Sequence, residues 1–233
     1  MSDKKTLVLV PGLLCTRALW APQIEALSPH FDIFVPDVAG HETMAEIADM
    51  VLQSVSGDFA LAGLSMGGYV SFEVWRQAPE RVERIAFLDT SARIDTPEIS
   101  ARRRGLIELV QKGAFKGVTP QLLPMLIHPD RLDDMVLTGI ITAMSEDVGR
   151  DGFLHQQKAI MARDDSRPLL ADINVPTLAL VGRQDILIPP DHIEEIAEGV
   201  TGAKLVYIED SGHLPTLEQP EDTTAALRAW LEV

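Results

Sequence analysis

Six short apolar runs constrain this chain more than any other feature. They are Leu7–Val10, Phe31–Val35, Phe59–Leu64, Ile85–Leu88, Thr177–Val181 and Lys204–Ile208. Runs this short and this apolar suit strands buried on both faces, as in a parallel sheet. Between most of them lie stretches of helical period: Met44–Val55, Met66–Ala78 and Asp191–Glu198. A further one, Thr216–Leu231, closes the chain. Parallel neighbours need crossovers, and helices supply them in the right-handed sense. The alternation therefore predicts an α/β fold on a parallel sheet.

The rhythm stops between the fourth and fifth runs. From Ala92 to Pro168 no strand-like run occurs. Leu132, Met135, Val136, Gly139, Ile140, Ala143 and Met144 recur at i, i+3, i+4 and i+7, and Leu137 and Ile141 add apolar positions off that stripe. A helix apolar on more than one side suits burial between two layers. It is either an ordinary core helix or part of an insertion covering the sheet's carboxyl edge. We read the second: residues 1–91 and 169–233 as the core, 92–168 as a helical cap. The length of 233 residues agrees. It corresponds to one domain of ~150 residues and a sizeable insertion. The spare apolar flank could also meet a partner chain, so the oligomeric state stays open.

Composition excludes several roles. With 20 basic against 35 acidic residues the net charge is −15. That argues against a nucleic-acid binder and against adhesion to anionic membranes. One cysteine, Cys15, forms no intrachain disulfide and no cysteine-based zinc cluster. No apolar run approaches the ~18 residues that suggest a membrane span. Lys4-Lys5 before Leu7–Val10 imitates a signal peptide, but Pro11-Gly12 breaks the run and no small-residue cleavage site follows. The expected location is the cytoplasm.

The chemistry centres on Gly63-Leu64-Ser65-Met66-Gly67. This is Gly-x-Ser-x-Gly with a strand directly before it and a helix directly after. A serine on so sharp a turn exposes its hydroxyl, and the flanking glycines keep the turn free of side chains. Ser65 is the candidate nucleophile. A serine needs a base, and the base needs an orienting acid. Of six histidines, His213 follows the last strand at the same carboxyl rim. His30 sits at the opposite edge, His192 opens a predicted helix, and His128 and His155 belong to the insertion. Asp185, after the fifth strand, is the candidate acid, with Asp89, after the fourth, as its rival. The order Ser…Asp…His favours Asp185. An oxyanion needs two backbone donors, and the N–H groups of Met66 and Leu13 are placed for it.

These residues resemble the alpha/beta-hydrolase superfamily, in its compact esterase and enol-lactonase-like branch with a helical cap. The resemblance spans essentially the whole chain. It rests on Gly63–Gly68, Gly182–Asp185, Ser211–Pro215 and Asp37-Val38-Ala39-Gly40-His41. Two departures stand out. Pro11-Gly12 replaces the usual His-Gly before the oxyanion donor, and no antiparallel hairpin precedes the first strand. The resemblance thus implies a six-stranded, wholly parallel sheet, in family order 4-3-5-6-7-8. It makes His41 a turn residue supporting the oxyanion loop. It implies no metal and no organic cofactor.

The expected activity is serine-dependent hydrolysis of a small carboxylic ester or lactone. Other chemistry runs on such a scaffold: carbon–carbon bond hydrolysis, acyl transfer, thioester cleavage and a menaquinone-pathway-type synthase. A non-catalytic small-molecule receptor is the rival of another class, and a broken triad would mark it. Cys15 lacks a placed base and reads as a small buried side chain. Arg102, Arg103 and Arg104 read as solvated charge, or as one contact for a substrate carboxylate.

Overall fold

The structure, a computed structural model, describes residues 4–233. Its strands are β1 (Lys5–Val10), β2 (Phe31–Phe34), β3 (Phe59–Leu64), β4 (Val82–Leu88), β5 (Thr177–Gly182) and β6 (Lys204–Ile208). They form one sheet in the order β2-β1-β3-β4-β5-β6, and every pairing is parallel. This is the order the resemblance implied. No strand precedes β1 among the described residues.

The helices, in chain order, are α1 (Ala21–Leu27), α2 (Met44–Ser54), α3 (Met66–Gln77), α4 (Pro97–Gln111), α5 (Met135–Ala162), α6 (Asp191–Gly199), α7 (Pro215–Glu218) and α8 (Pro220–Leu231). The period-2 geometry of a strand sends alternate residues to opposite faces. In β1, Val8 and Val10 enter a core with Ile47, Val51, Phe72, Ile193 and Ile196 from α2, α3 and α6. Leu7 and Leu9 enter the other, with Leu27, Leu227 and Trp230 from α1 and α8. Covering both faces explains why β3 and β5 are buried at every position. No helix among the described residues is long and apolar enough to cross a membrane.

Between β4 and β5 lie α4, α5 and short 3-10 turns, with no strand. The helical character is as expected, but the buried face is not. Asp134 caps α5, accepting from the Val136 and Leu137 N–H groups at 3.0 Å each. The helix then buries Leu137, Thr138, Ile141, Met144 and Ser145, while Met135 and Val136 stand 81% and 74% exposed. The expected stripe included Met135 and Val136, with Leu137 and Ile141 as a second apolar side, whereas only the side with Leu137, Ile141 and Met144 is buried. Two polar residues hid the true face. Thr138 Oγ1 donates to the Asp134 carbonyl, and Ser145 Oγ donates to that of Thr142, so each buries its hydroxyl satisfied. Gly149 (φ 68°) interrupts α5, so the element is two helices meeting at a kink. Two smaller differences concern the ends of the chain. α1 was not anticipated, and Pro220 divides the last amphipathic stretch into α7 and α8.

Candidate active site

The carboxyl rim of β3 carries Ser65 on a forced turn. Ser65 sits at φ 56°, ψ −116°, outside the regions open to ordinary residues. Its N–H donates to the Leu88 carbonyl at 2.9 Å, and its carbonyl accepts from Thr90 Oγ1 at 2.7 Å. These bonds hold the strain in place. The glycines are required by space. A Cβ on Gly63 would fall on the Gly67 carbonyl, and one on Gly67 would fall on the Val10 carbonyl.

The structure brings Ser65, His213 and Asp185 into one line. Ser65 Oγ lies 2.9 Å from His213 Nε2, and His213 Nδ1 lies 2.7 Å from Asp185 Oδ2. Asp185 Oδ1 accepts from the N–H groups of Leu187 and Ile188 at 2.9 and 3.0 Å. Asp185 and His213 are buried, which strengthens each of these bonds. Leu13 and Met66 flank Ser65 in the same cavity. Among the described residues neither of their N–H groups donates to a protein acceptor. Asp89, the rival acid, is also buried and strained, at φ 44°. One of its oxygens accepts from Gly182 N–H at 2.9 Å, and the other has no partner. Burial, and then the nearby Asp185 charge, holds its carboxyl well above the usual carboxylate range. The protonated form of Asp89 is thereby favoured. Among the described residues, only Asp89, Asp185 and His213 have the spacing of a metal-ligand set, within 4.8 Å. The His213–Asp185 bond already engages two of these donors.

Three supports were not visible in the sequence. Glu218, on α7, is buried beneath the histidine loop. It accepts from the N–H groups of Gly212, Leu214 and His128 at 3.0, 3.1 and 2.6 Å. Burial raises its carboxyl above the usual range, and those N–H donors pull it back. Gln156, on α5, takes the place expected for His41. Its Oε1 accepts from Leu14 N–H at 3.0 Å, next to Leu13. His41 makes no hydrogen bond to that loop among the described residues. His192 lies in the cavity wall with its Nδ1 2.7 Å from Ser91 Oγ. Burial, then the Arg93 charge, lowers its pKa. The other histidines take structural contacts. His155 Nδ1 lies 3.1 Å from the Ala39 carbonyl, and His128 Nδ1 accepts from Asp130 N–H at 3.2 Å. Burial pushes the Cys15 thiol up to about 12, so it is not a thiolate nucleophile near neutrality.

Ser65 opens into a cavity of about 360 Å³. The 94–163 segment supplies much of its wall, including Leu126, Ile141, Met144, Phe153 and Ile160. An apolar cleft with a few convergent polar groups is the usual form of a small-molecule site.

A strained serine at a strand–helix turn, lined with a histidine and a buried aspartate on a parallel sheet, defines a hydrolase-type site. The chain belongs to the alpha/beta hydrolase family, whose sequence pattern matches residues 7–227. It is similar to a thermophilic esterase from Thermogutta terrifontis solved with malate bound. The identity is 32%, with TM-score 0.92, over 100% of this chain and 91% of that one. It is also similar to the enol-lactonase from Burkholderia xenovorans LB400, at 27% identity and TM-score 0.86, over 100% and 93%. The pimeloyl-acyl-carrier-protein methyl ester esterase of Vibrio campbellii is 25% identical, over 92% of this chain and 90% of that protein.

Proposed function

We propose that the protein is a serine hydrolase cleaving a small carboxylic ester or lactone through an acyl-enzyme on Ser65. The observation that carries this reading is the 2.9 Å contact of Ser65 Oγ with His213 Nε2, with Asp185 behind the ring. Ser65 Oγ attacks the carbonyl carbon as His213 takes its proton. Asp185 holds the imidazole tautomer and steadies the imidazolium. The oxyanion rests on the Leu13 and Met66 N–H groups. The C=O bond then re-forms as the bond from the acyl carbon to the alkoxy oxygen breaks, and His213 gives its proton to the leaving alkoxide. Water, deprotonated by His213, attacks the acyl-serine and releases the acid and the free hydroxyl. In this reading, residues 92–168 are a cap over a core of 1–91 and 169–233. The relatives' names, esterase and enol-lactonase, support the substrate class.

The test is labelling with a fluorophosphonate probe. The expected result is one adduct on Ser65, absent in Ser65→Ala, with ester hydrolysis lost in parallel. An unlabelled Ser65 in folded protein overturns the reading.

A further inference from the structure

We infer that the cavity before Ser65 takes an ester or lactone carrying a free carboxylate, held by Arg102 and Arg103. This rests on the hydrolase reading for its chemistry and on the charge of the cavity wall for its substrate.

Arg93, Arg102, Arg103 and Arg163 line the cavity, against a single lining carboxylate, Asp95. Arg93 is matched by acids of α6: its Nε lies 2.8 Å from Glu195 and its Nη1 3.0 Å from Asp191. Asp95 is divided. Its Oδ2 lies 2.6 Å from Arg103 Nε and its Oδ1 2.8 Å from Arg163 Nη2. Arg163 spends its remaining donors on backbone, giving Nη1 to Ile160 and Nη2 to Arg93 as well. Its Nε is buried with no hydrogen-bond partner. Arg103 Nη1 donates to Gln157 Oε1 at 2.9 Å. Arg102 meets no carboxylate among the described residues. Its Nη2 reaches only Met125 Sδ, at 3.5 Å.

Arg103 and Arg163 thus share one carboxylate and Arg102 has none, at a cavity in a chain of net charge −15. Arg102 stands exposed at the cavity edge with no carboxylate partner, so its guanidinium is open to an anionic group of the occupant. A carboxylate from the occupant supplies that partner, and the guanidinium fork fits its two oxygens. The apolar side chains of Leu126, Ile141, Met144 and Phe153 suit the hydrocarbon between carboxylate and ester. Arg104, the third arginine of the run, is exposed like Arg102 but lies outside the cavity wall that Arg102 and Arg103 line.

The test compares 4-nitrophenyl hydrogen adipate with 4-nitrophenyl hexanoate, which match in length and differ in charge. The expected kcat/KM favours the hemi-ester by roughly tenfold or more, and Arg102→Gln and Arg103→Gln each lower that ratio by about tenfold. Arg104→Gln leaves the ratio where it is. Arg103→Gln also cuts a link to Asp95, so its Tm is followed. Arg102→Gln breaks no ion pair and carries the test alone. Equal or better cleavage of the hexanoate overturns the inference, as does a ratio unmoved by Arg102→Gln. Binding gives a readout free of turnover: adipate should raise the Tm of Ser65→Ala, and Arg102→Gln in that background should reduce the rise. If neither ester is cleaved but adipate still binds through Arg102, the hydrolase reading fails and this one stands. If the hexanoate is cleaved through Ser65 and adipate does not bind, the reverse holds. A response to inorganic phosphate as large as that to adipate overturns the carboxylate assignment.

Discussion

The carboxyl rim of the sheet and the wall that faces it are built by different means. At the rim, backbone does the positioning. Ser65, Asp89 and Asp185 are fixed by N–H and carbonyl groups of adjoining strands and turns, and glycine contacts leave no slack. On the wall, side chains do it. Ile94, Ile99, Leu106 and Leu122 reach the cavity from positions still 38–51% exposed. Geometry set by backbone is precise and intolerant. Geometry set by half-exposed side chains is adjustable, because a surface residue has few packed neighbours to disturb. The proposed chemistry thus sits on the rim, and the proposed substrate contacts on the wall.

The sharpest way to break this contrast is at the acid. Asp185→Asn should lower kcat by roughly 10²–10⁴, because the imidazole loses the partner that fixes its tautomer. Asp89→Asn should stay within a few-fold, since an amide reproduces a neutral carboxyl. The opposite ranking on a nitrophenyl ester would move the acid to Asp89. Next comes Glu218→Ala, which strands the N–H groups of Gly212, Leu214 and His128. A loss of about 3–9 kcal/mol in denaturant unfolding is expected, at about 1–3 kcal/mol for each of the three stranded groups. A loss below 1 kcal/mol would show that the histidine loop stands without it.

Smaller effects are expected at α5 and at Asp89. Leu137→Ala should cost about 2–4 kcal/mol, whereas Met135→Ala should stay within about 0.5. Comparable losses at both would restore the face read from sequence periodicity. Asp89 offers the finest test. Its carboxyl keeps a proton in the folded state above the pH at which the unfolded chain releases it, near the ordinary value of 3.8. The native state then binds more protons than the unfolded state, so this group makes stability fall as pH rises, by up to about 1.4 kcal/mol per unit. Asp89→Asn removes the slope. Its Tm relative to the parent should climb between pH 4 and pH 7, and a difference constant with pH would mean that Asp89 is ionised in the fold.

What the sequence disclosed follows the same division. The strands and Ser65, Asp185 and His213 were legible because each lies at the end of a short apolar run, where local pattern and position in the sheet coincide. Glu218 was not, because a glutamate reads as solvent-facing until the loop that donates to it has folded over it. Gln156 and His192 depend on neighbours more than a hundred residues away in the chain, 142 and 101 respectively. α1 is too short to display a period, and the inward face of α5 was concealed by Thr138 and Ser145.

The packing at Gly63 and Gly67 has a consequence for anyone who would redesign this molecule. There the tolerance is less than one methyl group, so random mutagenesis spends its variants on misfolded protein. A library confined to the cavity-facing residues between Ile94 and Arg163 would leave the nucleophile's setting untouched while exploring new acids and alcohols. The fold thus behaves as a fixed tool holder with an exchangeable jig.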